Sequence, residues 1–237
     1  MAWQVWAATG TARELVQQAD QLQAAPDASD ESSQRAIALY QEAAKLEPNS
    51  AEIQLKLADT ALTVAAWTSG DRLRWYQLGQ TAAERAVALD QNDAEALFLL
   101  AAHRGQIASL QKDLGGLLVP RELERLLSRA LAVNPRHARA LHMMGVLLER
   151  TPAPLRLLLN GSARDAEKYH VAAIESDPNF SEARLDLARH YASRRQTAQA
   201  RAQIQAVLQM TSPTRPRAWR EKHRPAAEAL LRELPAD

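Results

Sequence analysis

The stretch Thr197–Pro213, TAQARAQIQAVLQMTSP, and the helix expected before it, Ser181–Arg195, together read as one helix–turn–helix unit. Ala200, Ile204 and Val207 fall at positions 20, 24 and 27 of such a unit, and Leu187, Ala188 and Tyr191 at positions 7, 8 and 11. The pattern is a packing rule. Two antiparallel helices approach closely only where small side chains sit at the crossing and larger ones fill the groove beside it.

Imperfect copies of the unit run through the chain. Thr11–Ala25 has helical periodicity in Leu15, Ala19 and Leu22, and PDASDESS (26–33) breaks it and supplies capping residues. Gln34–Glu47 then places Ala36, Tyr40 and Ala43 at positions 20, 24 and 27, and Pro48 ends the helix because it has no N–H to donate. The second copy has Leu57, Ala58 and Ala61 in Ala51–Trp67 and Gly79, Ala83 and Ala86 in Trp75–Leu89. The third has Leu97, Leu100 and Ala101, then Leu123, Leu127, Ala130 and Pro135. The fourth has Leu141, Met144, Gly145 and Leu148, then Ala166, His170, Ala173 and Pro178. Equivalent terminators stand at 48, 91, 135, 178 and 212, so only the last spacing, 34, is that of a minimal unit. The other units carry inserts between their helices, expected at TSGDRLRWY (68–76), KDLGGLLVP (112–120) and PAPLRLLLN (152–160). Arg217–Leu234 reads as a final helix that covers the open face of the last unit. The expected fold is all-α: about five antiparallel helix pairs in a right-handed superhelix plus a C-terminal capping helix, forming one domain over 1–237 (N-terminal helix and linker 1–33, repeats 34–213, cap 214–237).

Composition agrees. Of 237 residues 46% are hydrophobic and only 5% aromatic, and strand-like alternation is nearly absent. With no Cys, disulfides, Cys-ligated zinc and thiol catalysis are excluded. The net charge of +1 hides an asymmetry: residues 1–60 carry 4 basic and 9 acidic side chains, residues 121–237 carry 20 and 13. This suits solvated faces, an acidic partner, or head-to-tail association into a homo-oligomer. The C-terminal Arg residues are interleaved with acids and lack interspersed aromatics, so nucleic acid is not expected as a partner. No stretch approaches the ~20 apolar residues of a membrane span. The start, MAWQVWAATG, reads either as a first helix with Trp3 and Trp6 on its apolar face or as a chain beginning just inside a signal peptide, with Val5 and Ala7 suited to a cleavage site.

The span 35–234 resembles the tetratricopeptide-repeat proteins that accompany bacterial TRAP transporters, and the repeat domain of regulators of microtubule dynamics. The resemblance rests on AERAVALDQNDAEALFLLAAHRGQ (83–106) followed by Lys112, on LSRALAVNPRHARALHMMGVLLERTP (127–152), and on LLNGS (158–162) before AEKYHVAAIESDPNF (166–180). The tail with Pro213, Pro225 and a Leu-rich last helix, and the long repeat spacing, complete it. It implies a helical solenoid that binds a partner and does no chemistry. For the transporter-associated members it implies a periplasmic protein that docks a solute-binding component and handles a small ligand. Their lipid-anchored form needs a Cys that is missing here.

No catalytic pattern emerges. HExxH is absent from the six His, and Glu167 and His170 lack the second pair of a di-iron bundle. His170 falls at a packing position and reads as a satisfied core histidine. Ser109 and Ser128 have no nucleophile elbow, and Gly115-Gly116 has no phosphate-loop context. Neither a metal nor a cofactor is expected.

Two binding surfaces are expected instead. In the first helices, positions 2, 5, 9 and 12 of each unit face a concave groove. There the partner would meet Glu52, Leu55 and Asp59, then Glu95 and Phe98, then Arg139 and His142, and finally Leu185 and Arg189. The insert-bearing edge offers a second patch with Trp67, Trp75, Lys112 and Leu157. The expected function is a non-catalytic scaffold for a protein partner, whether a peptide, a helix or a solute-binding protein. The alternative is a ligand-handling accessory of a TRAP-type transporter.

Overall fold

The computed structural model describes residues 10–24, 29–111, 119–156, 159–160 and 165–235, and among these the chain is all-α. It divides into two compact units, Met1–Val133 and Asn134–Asp237.

The N-terminal unit holds α1 (Ala12–Ala24), α2 (Asp30–Leu46), α3 (Ala51–Trp67), α4 (Arg72–Leu89), α5 (Ala94–Gln111) and α6 (Val119–Val133). They pair as α1 with α2, α3 with α4 and α5 with α6. The C-terminal unit holds α7 (Ala138–Arg150), the short α8 (Ala153–Arg156), α9 (Ala166–Ser176), α10 (Ser181–Ser193) and α11 (Thr197–Leu208). Here α7 pairs with α9 and α10 with α11. The segment Pro216–Glu233 follows, as α12 (Pro216–Ala218), a π-helical turn (Trp219–His223) and α13 (Arg224–Glu233).

Positions 20, 24 and 27 are buried in all five pairs. Ala36, Tyr40 and Ala43 are inside, as are Gly79, Ala83 and Ala86, then Leu123, Leu127 and Ala130, then Ala166, His170 and Ala173, then Ala200, Ile204 and Val207. The first helices answer with Leu57, Ala58 and Ala61, with Leu97, Leu100 and Ala101, with Met144 and Leu148, and with Leu187, Ala188 and Tyr191, all buried.

Turns between successive helix pairs are chemically repeated. Asn92, Arg136 and Asn179 each donate a backbone N–H to the side chain two residues earlier, Asp90, Asn134 and Asp177. These Asx turns stop the helix, and the next one starts on its own cap. Ser29 and Ser32 exchange hydrogen bonds of 2.8 and 3.1 Å as a capping box, and the Asp71 and Asp93 side chains accept the N–H groups of Arg74 and Ala96. His137 caps α7, its Nδ1 accepting from the Ala140 N–H at 3.1 Å. Within the N-terminal unit two equivalent second-helix arginines reach back to the preceding turn: Arg85 donates to Asn49 Oδ1 at 2.6 Å and Arg129 to the Gln91 carbonyl at 2.9 Å.

The first expected insert is shorter than the sequence suggests. Only Thr68–Asp71 of TSGDRLRWY separates two helices, because Arg72–Tyr76 forms the first turn of α4 on its Asp71 cap. In this pair the extra residues lengthen the helices, α3 to 17 residues and α4 to 18. Likewise α2 begins at Asp30, so the acidic residues after Ser29 make a first helical turn, where the helix dipole favours them.

The expected single C-terminal helix is interrupted at its middle. Pro225 has no N–H to bond to Glu221 and its ring crowds that carbonyl, so a regular α-turn is lost there. The chain opens into a π-turn, in which the Arg224 N–H bonds to the Trp219 carbonyl.

One residue outside glycine has positive φ among those described. Arg195, at 60°, closes α10 in the left-handed conformation, with its N–H on the Ala192 carbonyl and the Gln196 N–H on Tyr191. Glycine is the residue that adopts this geometry without strain. Arg195→Gly should therefore stabilise the chain by about 0.5–1 kcal/mol, the relief of the left-handed strain exceeding the extra entropy of an unfolded glycine. A lower urea midpoint for the variant would contradict this.

Candidate functional site

The two units carry different polar arrangements on and beneath their first helices. In the N-terminal unit α3 exposes Glu52, whose side chain is 75% accessible, with Leu55 and Asp59 half-buried behind it. Lys56 lies between them and donates to both oxygens of Asp20 on α1 at 2.9 Å, and the Tyr40 hydroxyl donates to the same carboxylate at 2.6 Å. This latch joins α1, α2 and α3. Burial, then the Asp20 carboxylate and the charges of Asp59 and Glu52, push the Tyr40 phenol well up, so it stays a donor. Glu95 on α5 is half-buried.

Phe98 lies on the same first-helix register but is only 5% exposed. This side chain, expected in the groove, is part of the interior, since α5 packs against α3 as well as against α4 and α6. Trp67 ends α3 and Trp75 lies in the first turn of α4, both half-buried, with Arg74 over the Trp75 ring at 5.3 Å. Lys112 and Leu157 lie outside the described residues, as do Trp3, Trp6 and most of the 112–120 and LLNGS segments.

Fully buried in this unit is His103, whose Nε2 is 3.0 Å from the Ala58 carbonyl and whose ring sits on Gly79. A Cβ at Gly79 would lie 2.0 Å from that ring. The glycine at position 20 is thus required by an imidazole from the next helix, which nothing in the local sequence announces.

In the C-terminal unit α7, α9 and α10 enclose a histidine–carboxylate network. His142, another residue expected in the groove, is 8% exposed and its Nε2 is 3.0 Å from Asp186 Oδ2. Asp186 also accepts from Arg189 at 2.8 Å. Burial pushes the Asp186 carboxyl up, but His142 and Arg189 outweigh it and hold the group well below the usual carboxylate range. His170 lies between two other imidazoles, tilted against the His142 ring at 5.5 Å and edge-on to the His190 ring at 6.4 Å. It is buried as expected, but not satisfied: neither ring nitrogen has a hydrogen bond, and Glu149 Oε2 approaches Nε2 only to 3.6 Å. His190 Nδ1 is 2.8 Å from Glu149 Oε1, and Tyr191 donates to Glu167 at 3.0 Å. His170 and then His190 hold the Glu149 carboxyl below its ordinary range against the effect of burial.

What remains at the surface of this unit is Arg139, half-buried, and Arg189, with 52% of its side chain accessible. Leu185, also expected in the groove, is 2% exposed because the C-terminal segment covers it. Asp186 and His190 did not stand out in the sequence. They join the network through the packing of α10 on α9, at separations of 44 residues from His142 and 41 from Glu149.

Among the described residues no group of three His, Asp or Glu is placed to hold a metal ion, and no helix is long and apolar enough to cross a membrane. A depression of about 400 Å³ in the C-terminal unit is shallow and lined by Thr211, Ser212, Pro213, Pro216, Trp219 and Arg220.

Helix pairs with these buried positions define a tetratricopeptide-repeat protein, and a tetratricopeptide-repeat family model matches residues 157–222. The chain belongs to the regulator of microtubule dynamics protein 1-3 family, whose model matches residues 15–148. A search of curated proteins finds no match. Among solved structures, TTC0263, a thermophilic tetratricopeptide-repeat protein of Thermus thermophilus, is similar at 21% identity with a TM-score of 0.67, over 91% of this chain and 98% of that one. PilF of Pseudomonas aeruginosa is similar at 16% identity and 0.56, over 92% and 88%. MamA protein is similar at 18% and 0.53, over 89% and 95%. At these identities the likeness is one of fold. Tetratricopeptide-repeat proteins generally mediate protein–protein interaction.

Proposed function

We propose that the chain is a non-catalytic interaction scaffold that recognises a protein segment through the solvent-facing residues of its first helices. The observation that carries this is the separation of two roles within those helices. Their apolar and imidazole side chains are consumed in packing, as Phe98, His142 and Leu185 show, whereas Glu52, Leu55, Asp59, Arg139 and Arg189 keep accessible surface. The face of α3 is acidic around a half-exposed leucine, which suits a basic segment with one apolar anchor. The face of α7 and α10 carries Arg139 and Arg189 and suits an acidic one.

Capture from the native organism's extract, with quantitative mass spectrometry, tests the reading. A Glu52→Lys, Asp59→Lys variant should lose at least about tenfold of one partner at low salt, and the wild-type capture should weaken as salt rises. Its thermal melt should stay close to the parent's. A partner set unchanged by these substitutions and by Arg139→Glu would overturn the assignment. Recovery of a periplasmic solute-binding protein would favour the transporter-accessory role over a general scaffold.

A further inference from the structure

The C-terminal segment is more than an inert cover. Its π-turn rotates two polar side chains onto the last repeat at once. Trp219 Nε1 donates to the Val207 carbonyl of α11 at 2.8 Å, and His223 Nδ1 meets Ser181 Oγ of α10 at 2.8 Å. Ala227 of the segment is buried with Leu185, Ala188, Ile204 and Val207, and Leu230, Leu231 and Leu234 pack against this cluster. Ser181 is 2% exposed, so its bond to His223 lies within the docking interface. The segment is joined to α11 by Gln209–Arg215, which holds Pro213 and no helix of its own.

We propose that Pro216–Glu233 is a proton-released cap: acidification that charges His223 undocks the segment from α10 and α11 and uncovers the apolar seat around Leu185. Docking places His223 in an interface where a charge meets mixed company. From α10 it faces Ser181, Glu182 and Asp186; from the joint and its own turn it faces Arg215 and Lys222. Asp186 is also engaged by His142 and Arg189. Burial lowers the pKa of His223, the attraction of Glu182 and Asp186 opposes this, and Arg215 and Lys222 reinforce it. For a histidine so shifted, the docked state is fully favoured above the solvent-exposed pKa and loses that advantage as pH falls towards the docked value. The carboxyls of Glu149 and Asp186 are likewise held below their ordinary range, so both stay ionised while the cap is released.

Hydrogen–deuterium exchange on the full chain, corrected for intrinsic rates, reads this directly. Between about pH 8 and about pH 5 the protection of 216–233 should fall severalfold, while peptides from α7 and α9 change little. His223→Gln can still accept from Ser181 but does not titrate, and it should flatten that dependence. Equal protection of the wild-type segment at both pH values, or the same loss in His223→Gln, would overturn the proposal. If the variant is undocked throughout, the wild type still decides. The His223 ring titration followed by NMR and the change in Trp219 emission must share one midpoint, and separate midpoints refute the mechanism.

Discussion

Gly79→Ala will destabilise the N-terminal unit by about 3 kcal/mol, although alanine is the better helix former by about 1 kcal/mol. The reason is the imidazole above it. The new Cβ would sit 2.0 Å from His103 Cε1 and 2.2 Å from Nε2, inside any real contact distance. The ring cannot retreat, because it is fully buried and bonded to the Ala58 carbonyl. Either that bond breaks or α4 shifts away from α5. Urea unfolding followed by circular dichroism measures the loss. Adding His103→Ala should recover much of it, a coupling that a generic packing defect would not show. Gly145→Ala gives the internal comparison: its Cβ would approach His170 to 2.8 Å, and that ring has no carbonyl bond to lose. A smaller cost is expected there, and a larger one than at Gly79 would contradict the argument.

Asp186→Asn should cost about 2 kcal/mol at neutral pH, the loss of two charge-assisted hydrogen bonds discounted because Arg189 can turn to water. Its second signature is in pH. Asp186 and Glu149 have folded-state pKa values below their unfolded ones, so each stabilises the chain fully above the unfolded carboxylate range and loses this as pH falls through the folded value. The wild type should lose stability steadily below about pH 4. Asp186→Asn should start lower and descend less steeply. Urea midpoints at a series of pH values decide it, and parallel curves for the two proteins would show that Asp186 is not the group responsible.

Much of the fold was legible in the residues. The side chains at positions 20, 24 and 27 fall on the buried face in every pair, because the geometry of two crossing helices constrains residues a few positions apart. The Asx turns at Asp90, Asn134 and Asp177 and the caps at Ser29 and Asp71 are equally local, decided within three residues. The π-turn could have been suspected from Pro225, but its consequence could not, since Ser181 and Val207 receive it from 42 and 12 residues away.

The surface was the harder part. A register that places side chains on the inner face of a first helix does not say whether the neighbouring helix reaches them. Phe98 and Leu185 are covered and Glu52 is not, although all three came from one rule. His142 and His170 gained their carboxylate neighbours only when α10 and α9 were brought against α7. Periodicity determines which residues a helix turns inward, because that depends on 3.6 residues per turn. Which of them end in contact with one another, with what charge and how much water, depends on segments about 40 residues apart, and only the packed chain decides that.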